Sequence, residues 1–210
     1  SKEGVTNRII IYDNPTVDIA ELEEQLAKNF PKLKNYEFIV YDHGSQSPDD
    51  LPESDIAICT FWVSAYILLK FNKTKRKYYF IQDYEPYFYN AGATFALAES
   101  TYRFGFQGIV NTPGLLAAVN KRHGTEGVSF IPAVDQKLYT PDFAKNNRRV
   151  RIFFYARPRN PRNAFALGVK TMHMLIEKYG SKVEIVTAGA EWNEHEFGLG
   201  GHILNLGLLG

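Results

Sequence analysis

The chain has 210 residues, with 24 Lys+Arg against 23 Asp+Glu for a formal net charge of +1, 45% hydrophobic residues and 22% charged residues. This balance excludes global disorder, which needs low hydrophobicity with high net charge, and argues against a dedicated nucleic-acid binder. Its single cysteine, Cys59, excludes a disulfide framework and fits a reducing compartment, and no apolar run approaches the ~18 residues of a membrane span.

Arg8 to Tyr12 is an apolar β-branched run bounded by Asp13-Asn14-Pro15, which predicts a buried strand ending in a turn. Thr16 to Phe30 carries Ile19, Leu22, Leu26 and Phe30 at helical spacing, with Asp18 and Glu21 near the positive end of the helix dipole. Strands are predicted over Tyr36 to Tyr41 and Asp55 to Cys59, separated by a Pro-, Ser- and Asp-rich loop. A mostly buried helix over Thr60 to Phe71 and a strand over Lys77 to Ile81 follow, then the loop 82–92. Ala93 to Phe104 reads as helix and Gly108 to Asn111 as strand. Thr112-Pro113 is a cap with a first-turn proline, and Gly124 marks the end of that helix. After a strand over Val128 to Ile131, Pro132 to Phe143 has no periodicity and reads as a linker.

The pattern then restarts. Val150 to Tyr155 is a strand, and Asn160-Pro161 reads as the cap and first turn of a helix. Phe165, Val169, Met172, Ile176 and Tyr179 form one face of that helix. Strands over Val183 to Thr187 and Ile203 to Leu206 close the chain, around a loop over 188–201. Strands alternating with helices imply βαβ units, parallel sheets and helices on both faces. The expected division is residues 1–143 and 144–210.

Two clusters suggest chemistry. Lys145, Arg148, Arg149, Arg151, Arg157, Arg159 and Arg162 form a basic run without an acid, and three of them surround a strand-to-helix turn. Ligands bind beyond the carboxyl ends of parallel strands, and a helix start offers free N–H groups to an anion. The guanidinium fork matches phosphate oxygens two at a time, which makes Arg157 the first candidate and Arg162 the second, with Arg159 facing solvent. A solvated basic turn is the plainer alternative, and contact of this stretch with anionic lipid is another. The second cluster, Gln82-Asp83-Tyr84-Glu85-Pro86-Tyr87-Phe88-Tyr89, follows an apolar strand. Its aromatic faces suit pyranose rings and its acids accept hydroxyl protons, while a packed aromatic loop is the alternative. Glu194-His195-Glu196 lacks a second ligand pair at zinc-protease spacing, and Cys59 reads as a structural thiol. There is no D-x-D metal clamp, no P-loop and no G-x-G-x-x-G.

The run Tyr79 to Pro86, with Leu97-Ala98-Glu99-Ser100-Thr101-Tyr102, Thr60 to Tyr66, Arg157-Pro158, Arg162 to Phe165 and the ending His202 to Gly207, resembles the bacterial rhamnosyltransferases of the WsaF type, in glycosyltransferase family 4. Ile131-Pro132-Ala133-Val134-Asp135 through Tyr139-Thr140-Pro141 resembles the hinge of GT-B glycosyltransferases. The resemblance implies a GT-B fold of two Rossmann-like domains, a retaining, metal-independent reaction, and no cofactor beyond a nucleotide-diphosphate sugar donor such as dTDP-rhamnose. By this likeness Arg157 and Arg162 hold the donor diphosphate, and Gly189, Gly207 and Leu208 line the base pocket. Asp83 and Glu85 stand at the reacting sugar as the catalytic pair, and Gln82, Tyr84, Tyr87 and Trp62 meet the acceptor. Gln82 occupies the position of a histidine in other members. No two glutamates are eight positions apart, so the acidic E-x7-E motif is absent, and a first strand with its glycine-rich turn is also missing. The expectation is therefore a chain truncated at both ends, itself inactive, from a cytoplasmic enzyme peripheral to the inner membrane face and acting on a glycan acceptor that is lipid-linked. The alternative function is a non-catalytic nucleotide- or sugar-binding module of the same fold. Oligomeric state stays open.

Overall fold

Short β-branched and aromatic strands joined by helical crossovers build parallel sheets, because each crossover returns the chain to the same edge. The computed structural model describes residues 4–137, 139–140 and 149–209. The chain divides into two compact units, Ser1–Pro132 and Ala133–Gly210.

In the first unit, β1 (Asn7–Ile11) pairs in parallel with β2 (Tyr36–Val40), connected by α1 (Ile19–Asn29). Asp18 caps α1 by accepting from the Ala20 and Glu21 amides. None of the residues of α1 is fully buried. A second, four-stranded parallel sheet follows in the order β3 (Ser54–Cys59), β4 (Thr74–Ile81), β5 (Gln107–Asn111) and β6 (Gly127–Phe130). Its crossovers contain α2 (Trp62–Lys70), α3 (Ala93–Ser100) and α4 (Pro113–His123). Thr112 accepts from the Leu115 amide, and Gly124 closes α4 in the left-handed region at φ 74°, as the Thr-Pro…Gly pattern predicts.

All three crossovers step the same way along this sheet, so right-handed connections place α2, α3 and α4 on one face. Burial alternates to match. Tyr79, Ile81 and Val110 point under the helices and are at most 1% exposed, whereas Ile56, Ile58, Val128 and Phe130 on the other face are 37–66% exposed. No ladder joins β1 to β3 among the described residues. Among the described residues, side-chain contacts link this region to the start of β3 and to α2. Arg8, which also pairs with Glu37, donates from Nη1 to the Glu53 carbonyl at 2.8 Å. The Tyr12 hydroxyl bonds the Ser64 side chain. Cys59 is buried in the core under α2, where desolvation pushes its thiol far above the ordinary range, so it is the structural thiol expected.

In the second unit, β7 (Val150–Tyr155), β8 (Val183–Ala188) and β9 (Ile203–Asn205) pair in parallel in that order. Helix α5 (Phe165–Tyr179) crosses from β7 to β8. Its predicted face is observed: Phe165 and Met172 are buried, and Val169 and Ile176 pack beside Met172, Ile185 and Leu199. Tyr179 departs from it and is exposed. A Cβ on Gly168 would lie 2.1 Å from the Phe154 ring, so glycine lets α5 lie directly on β7. The helix starts later than Asn160-Pro161 suggests. Backbone bonds from Asn160 to Arg157 and from Asn163 to Asn160 close tight turns first, Pro161–Asn163 forms a 3-10 turn, and α5 begins only where Phe165 reaches the core.

These parallel sheets with their crossover helices are the Rossmann-like α/β architecture expected, except that α2, α3 and α4 share one face of the four-stranded sheet and, among the described residues, its other face with Ile56, Ile58 and Val128 stays exposed instead of carrying the helices expected there. The linker reading of Pro132 to Phe143 falls partly outside the described residues, and Lys145 and Arg148 fall wholly outside them.

Candidate functional site

Beyond the carboxyl ends of its strands, each unit presents one edge where a ligand would bind. In the first unit this edge carries 60–62 after β3, Gln82 and Asp83 after β4, and Asn111 at the end of β5 with Thr112 after it. The three turns are tied together. Asn111 Nδ2 donates to the Gln82 carbonyl at 3.0 Å, and Gln82 Nε2 reaches the Thr60 carbonyl at 3.5 Å. Asp83 is half-buried, and its Oδ1 accepts from the Tyr84 amide at 2.7 Å. Gln82 is exposed, whereas Asn111 Oδ1 is buried with no hydrogen-bond partner among the described residues.

Trp62 opens α2, and its indole donates to the Tyr89 hydroxyl at 2.8 Å while standing edge-on to Tyr66 and Tyr89. Two of the residues predicted beside it turn inward instead. Glu85 is only 2% exposed, and its Oε2 accepts from the Trp62 amide at 2.7 Å and the Tyr79 hydroxyl at 2.8 Å. It therefore does not stand with Asp83 at a reacting sugar. Burial raises its carboxyl to about 7, against the pull of these hydrogen bonds. Tyr84 is buried too and forms no acceptor platform. Its hydroxyl meets Glu99 Oε1 at 3.1 Å and His123 Nε2 at 2.8 Å, and its ring stacks on Tyr102 and His123. The physical reason is the 3-10 turn Glu85–Phe88, which folds the aromatic run back under α3. Tyr87 stays outside at 56% exposure, with Arg122 Nη1 donating to its hydroxyl at 2.9 Å.

Sequence reasoning missed Asn111, Arg122, His123 and Ser64. Asn111 was findable, since the carboxyl-end rule applies to β5 as well as to β4. Arg122 and His123 gave no sign beyond a basic last helical turn, which ordinarily complements the helix dipole.

In the second unit, Arg157 follows β7, Gly189 follows β8, and Gly207 and Leu208 follow β9, so four predicted residues share one edge. The Gly189 amide donates to the Gly207 carbonyl at 2.8 Å, and the Gly207 amide donates to Asn205 Oδ1 at 3.1 Å. Leu208 is exposed. Arg157 is exposed, with its guanidinium 5.8 Å over the Tyr155 ring. Arg162 is exposed in the 3-10 turn that leads to α5, and Arg159 faces solvent as expected. Helix α5 begins without a side-chain cap, behind Ala164 in the left-handed region. Gly189 has φ +119°, and a Cβ there would meet the Tyr155 ring at 2.5 Å. Gly189→Ala is therefore expected to cost about 1–3 kcal/mol of stability in this unit. Urea unfolding checks this, and an unchanged midpoint would show that the turn tolerates a side chain. His173 is exposed, its Nε2 2.8 Å from the Phe197 carbonyl, and Glu194–Phe197 is a 3-10 turn capped by Asn193.

Two family models match the chain: the WsaF N-terminal domain over residues 1–112 and the WsaF C-terminal domain over residues 150–209. The chain belongs to the WsaF family. It is also similar to a curated protein of Myxococcus xanthus, "O-antigen biosynthesis protein RfbC", at 41% identity over 211 residues, which is 99% of this chain and 16% of that protein. The chain thus spans about one sixth of that relative's length. The two WsaF matches fall one on each structural unit. Trp62, Gln82, Asp83, Glu85 and Asn111 lie within the N-terminal match, and Arg157, Arg162, Gly189, Gly207 and Leu208 within the C-terminal one. Arg122 and His123 lie in neither.

Proposed function

We propose that this chain carries the substrate-binding edges of a bacterial glycosyltransferase of glycan biosynthesis. Its second unit holds a nucleotide-diphosphate sugar and its first unit takes the acceptor. WsaF membership and the O-antigen role named for the Myxococcus relative support the reading. The observation that carries it is Arg157, exposed at the end of β7, on the edge it shares with Gly189 and Gly207 and ahead of an uncapped helix start. Free amides, a positive dipole end and a guanidinium fork are the groups a diphosphate needs. As the sugar leaves, negative charge grows on the diphosphate, and a fixed guanidinium offsets it without reorganising. Arg162 adds a second cation in the following turn. On the first unit, Asp83, Gln82, Trp62 and Tyr87 offer a carboxylate, an amide and two aromatic surfaces to sugar hydroxyls and faces.

The proposed donor is dTDP-rhamnose, transferred with retention, and the acceptor is a lipid-linked glycan at the cytoplasmic face of the inner membrane. A thermal-shift screen with thymidine-, uridine- and guanosine-diphosphate sugars tests the donor. A ligand at 100 times its Kd stabilises the folded state by about 2.7 kcal/mol. A shift with dTDP-rhamnose alone is expected. A shift with another donor would reassign the sugar, and the absence of a shift with any of them would overturn donor binding.

A further inference from the structure

Helix α2 starts at Trp62, and the residue ahead of it, Phe61, has no side-chain oxygen with which to cap the first turn. Ser64 Oγ serves the Phe61 amide at 3.2 Å. The Trp62 amide is taken by Glu85, from 23 residues further along the chain. The same carboxylate oxygen accepts from the Tyr79 hydroxyl, and the Glu85 amide donates to the Tyr102 hydroxyl at 3.0 Å. Tyr102 in turn donates to the Asp83 carbonyl at 3.2 Å. One buried side chain therefore joins the turn after β3 to the turn after β4, and these two turns carry Trp62, Gln82 and Asp83.

We propose that Glu85 is a positioning residue of the first unit's edge: its buried carboxyl holds Trp62 and the Gln82-Asp83 turn in one fixed relation, and its protonation state sets that relation. The proposal rests on reading this edge as the acceptor side. An ionised carboxylate makes a charge-assisted bond to the Trp62 amide and sits at the positive end of α2; a protonated one holds the helix start less firmly. The groups that face Glu85 are Tyr79 on β4, Asp83 in the turn after it, Tyr102 beyond α3, Cys59 at the end of β3 and Tyr12 beyond β1. None is a cation. Tyr79, Tyr102, Cys59 and Tyr12 are all pushed upward, first by burial, so they stay neutral near pH 7. Asp83 acts with burial to raise Glu85, which therefore changes charge close to neutrality, at about 7.

Amide and indole resonances of the whole, 15N-labelled chain, followed as pH crosses neutrality, test this. The Trp62 amide is expected to titrate with a midpoint near 7 in the wild type and to stay level in Glu85→Gln. The Trp192 indole, in the other unit, should not follow. His123, whose imidazole burial holds below its ordinary range, touches Tyr84 rather than Glu85, so His123→Asn is expected to leave the Trp62 titration in place. In transfer assays of the full-length protein, the acceptor KM of the wild type should change across the same midpoint while that of Glu85→Gln stays level. A level Trp62 amide in the wild type, or a titration that survives in Glu85→Gln, overturns the positioning role. The resonances need no sugar nucleotide. Donor binding with a level Trp62 therefore refutes this role alone, and a titrating Trp62 without donor binding refutes the transferase reading alone.

Discussion

Replacing Arg157 by alanine in the full-length protein is expected to lower sugar transfer by about 10²–10³-fold, the usual cost of losing one preorganised group aimed at developing charge. The side chain is exposed, with its guanidinium over the Tyr155 ring face, so little packing is lost and the unfolding midpoint should hardly move. The loss belongs to the transition state if the diphosphate is held mainly as its charge grows, in which case kcat falls more than donor KM rises. Arg157→Lys should recover only part of the rate, because an ammonium is a point charge and cannot bind two phosphate oxygens as a fork. Arg159, in the same turn but facing solvent, is the matched control, and Arg159→Ala should transfer normally. Full turnover in Arg157→Ala would remove that residue from the site.

The stability of the first unit should fall as pH rises from about 4.5 to about 7, by about 3 kcal/mol through Glu85 alone. The folded carboxyl binds its proton more tightly than the unfolded one. Its stabilising contribution is therefore complete below the unfolded value of 4.5, declines through the window, and is gone above about 7. Glu85→Gln, which mimics the protonated form, should flatten this slope and exceed the wild type in stability at alkaline pH. His123 works with the opposite sign. Burial lowers it below 6.5, so its contribution is lost as pH falls. Urea unfolding at several pH values, read as the difference between wild type and Glu85→Gln, isolates the carboxyl from His123. Parallel pH profiles in the two proteins would show that Glu85 is not the source.

The architecture was legible wherever a local signal agreed with the packing. Thr112-Pro113 and Gly124 delimit α4, and the apolar face of α5 is mostly buried, because cap, period and core point the same way there. Local signals failed where pairing decided the outcome. β4 begins at Thr74 and runs through Lys75, Arg76 and Lys77, which no strand propensity favours, because β3 offers partners from Ser54 onward. Asn160-Pro161 has the chemistry of a helix start, yet tight turns use it first. At the strand ends, the carboxyl-end rule pointed to Gln82, Asp83 and Arg157, and family likeness to Trp62. The rule gave no means of telling which side chains of a short turn point inward, and Tyr84 and Glu85 are polar residues whose partners include Tyr102 and His123, from segments well beyond the turn. Gly189 and Gly207 came from family likeness, and their role in closing the edge, one amide on the other's carbonyl, emerged only in three dimensions.

The split between β1–β2 and the four-stranded sheet bears on how the first unit comes apart. The core cluster is drawn from β3 onward, and α1 contributes no fully buried side chain to it. The β1–α1–β2 segment is held by its own ladder, by Arg8 and by Tyr12, and its strand residues are mostly half-buried rather than part of that core. Opening energies within a protein range from near zero to the global value, in contiguous cooperative blocks. Residues 7–40 are therefore expected to open before the four-stranded sheet. A protease meeting the native chain would find its first cuttable backbone there, and the sheet that carries Trp62, Gln82 and Asp83 would outlast the strands in front of it.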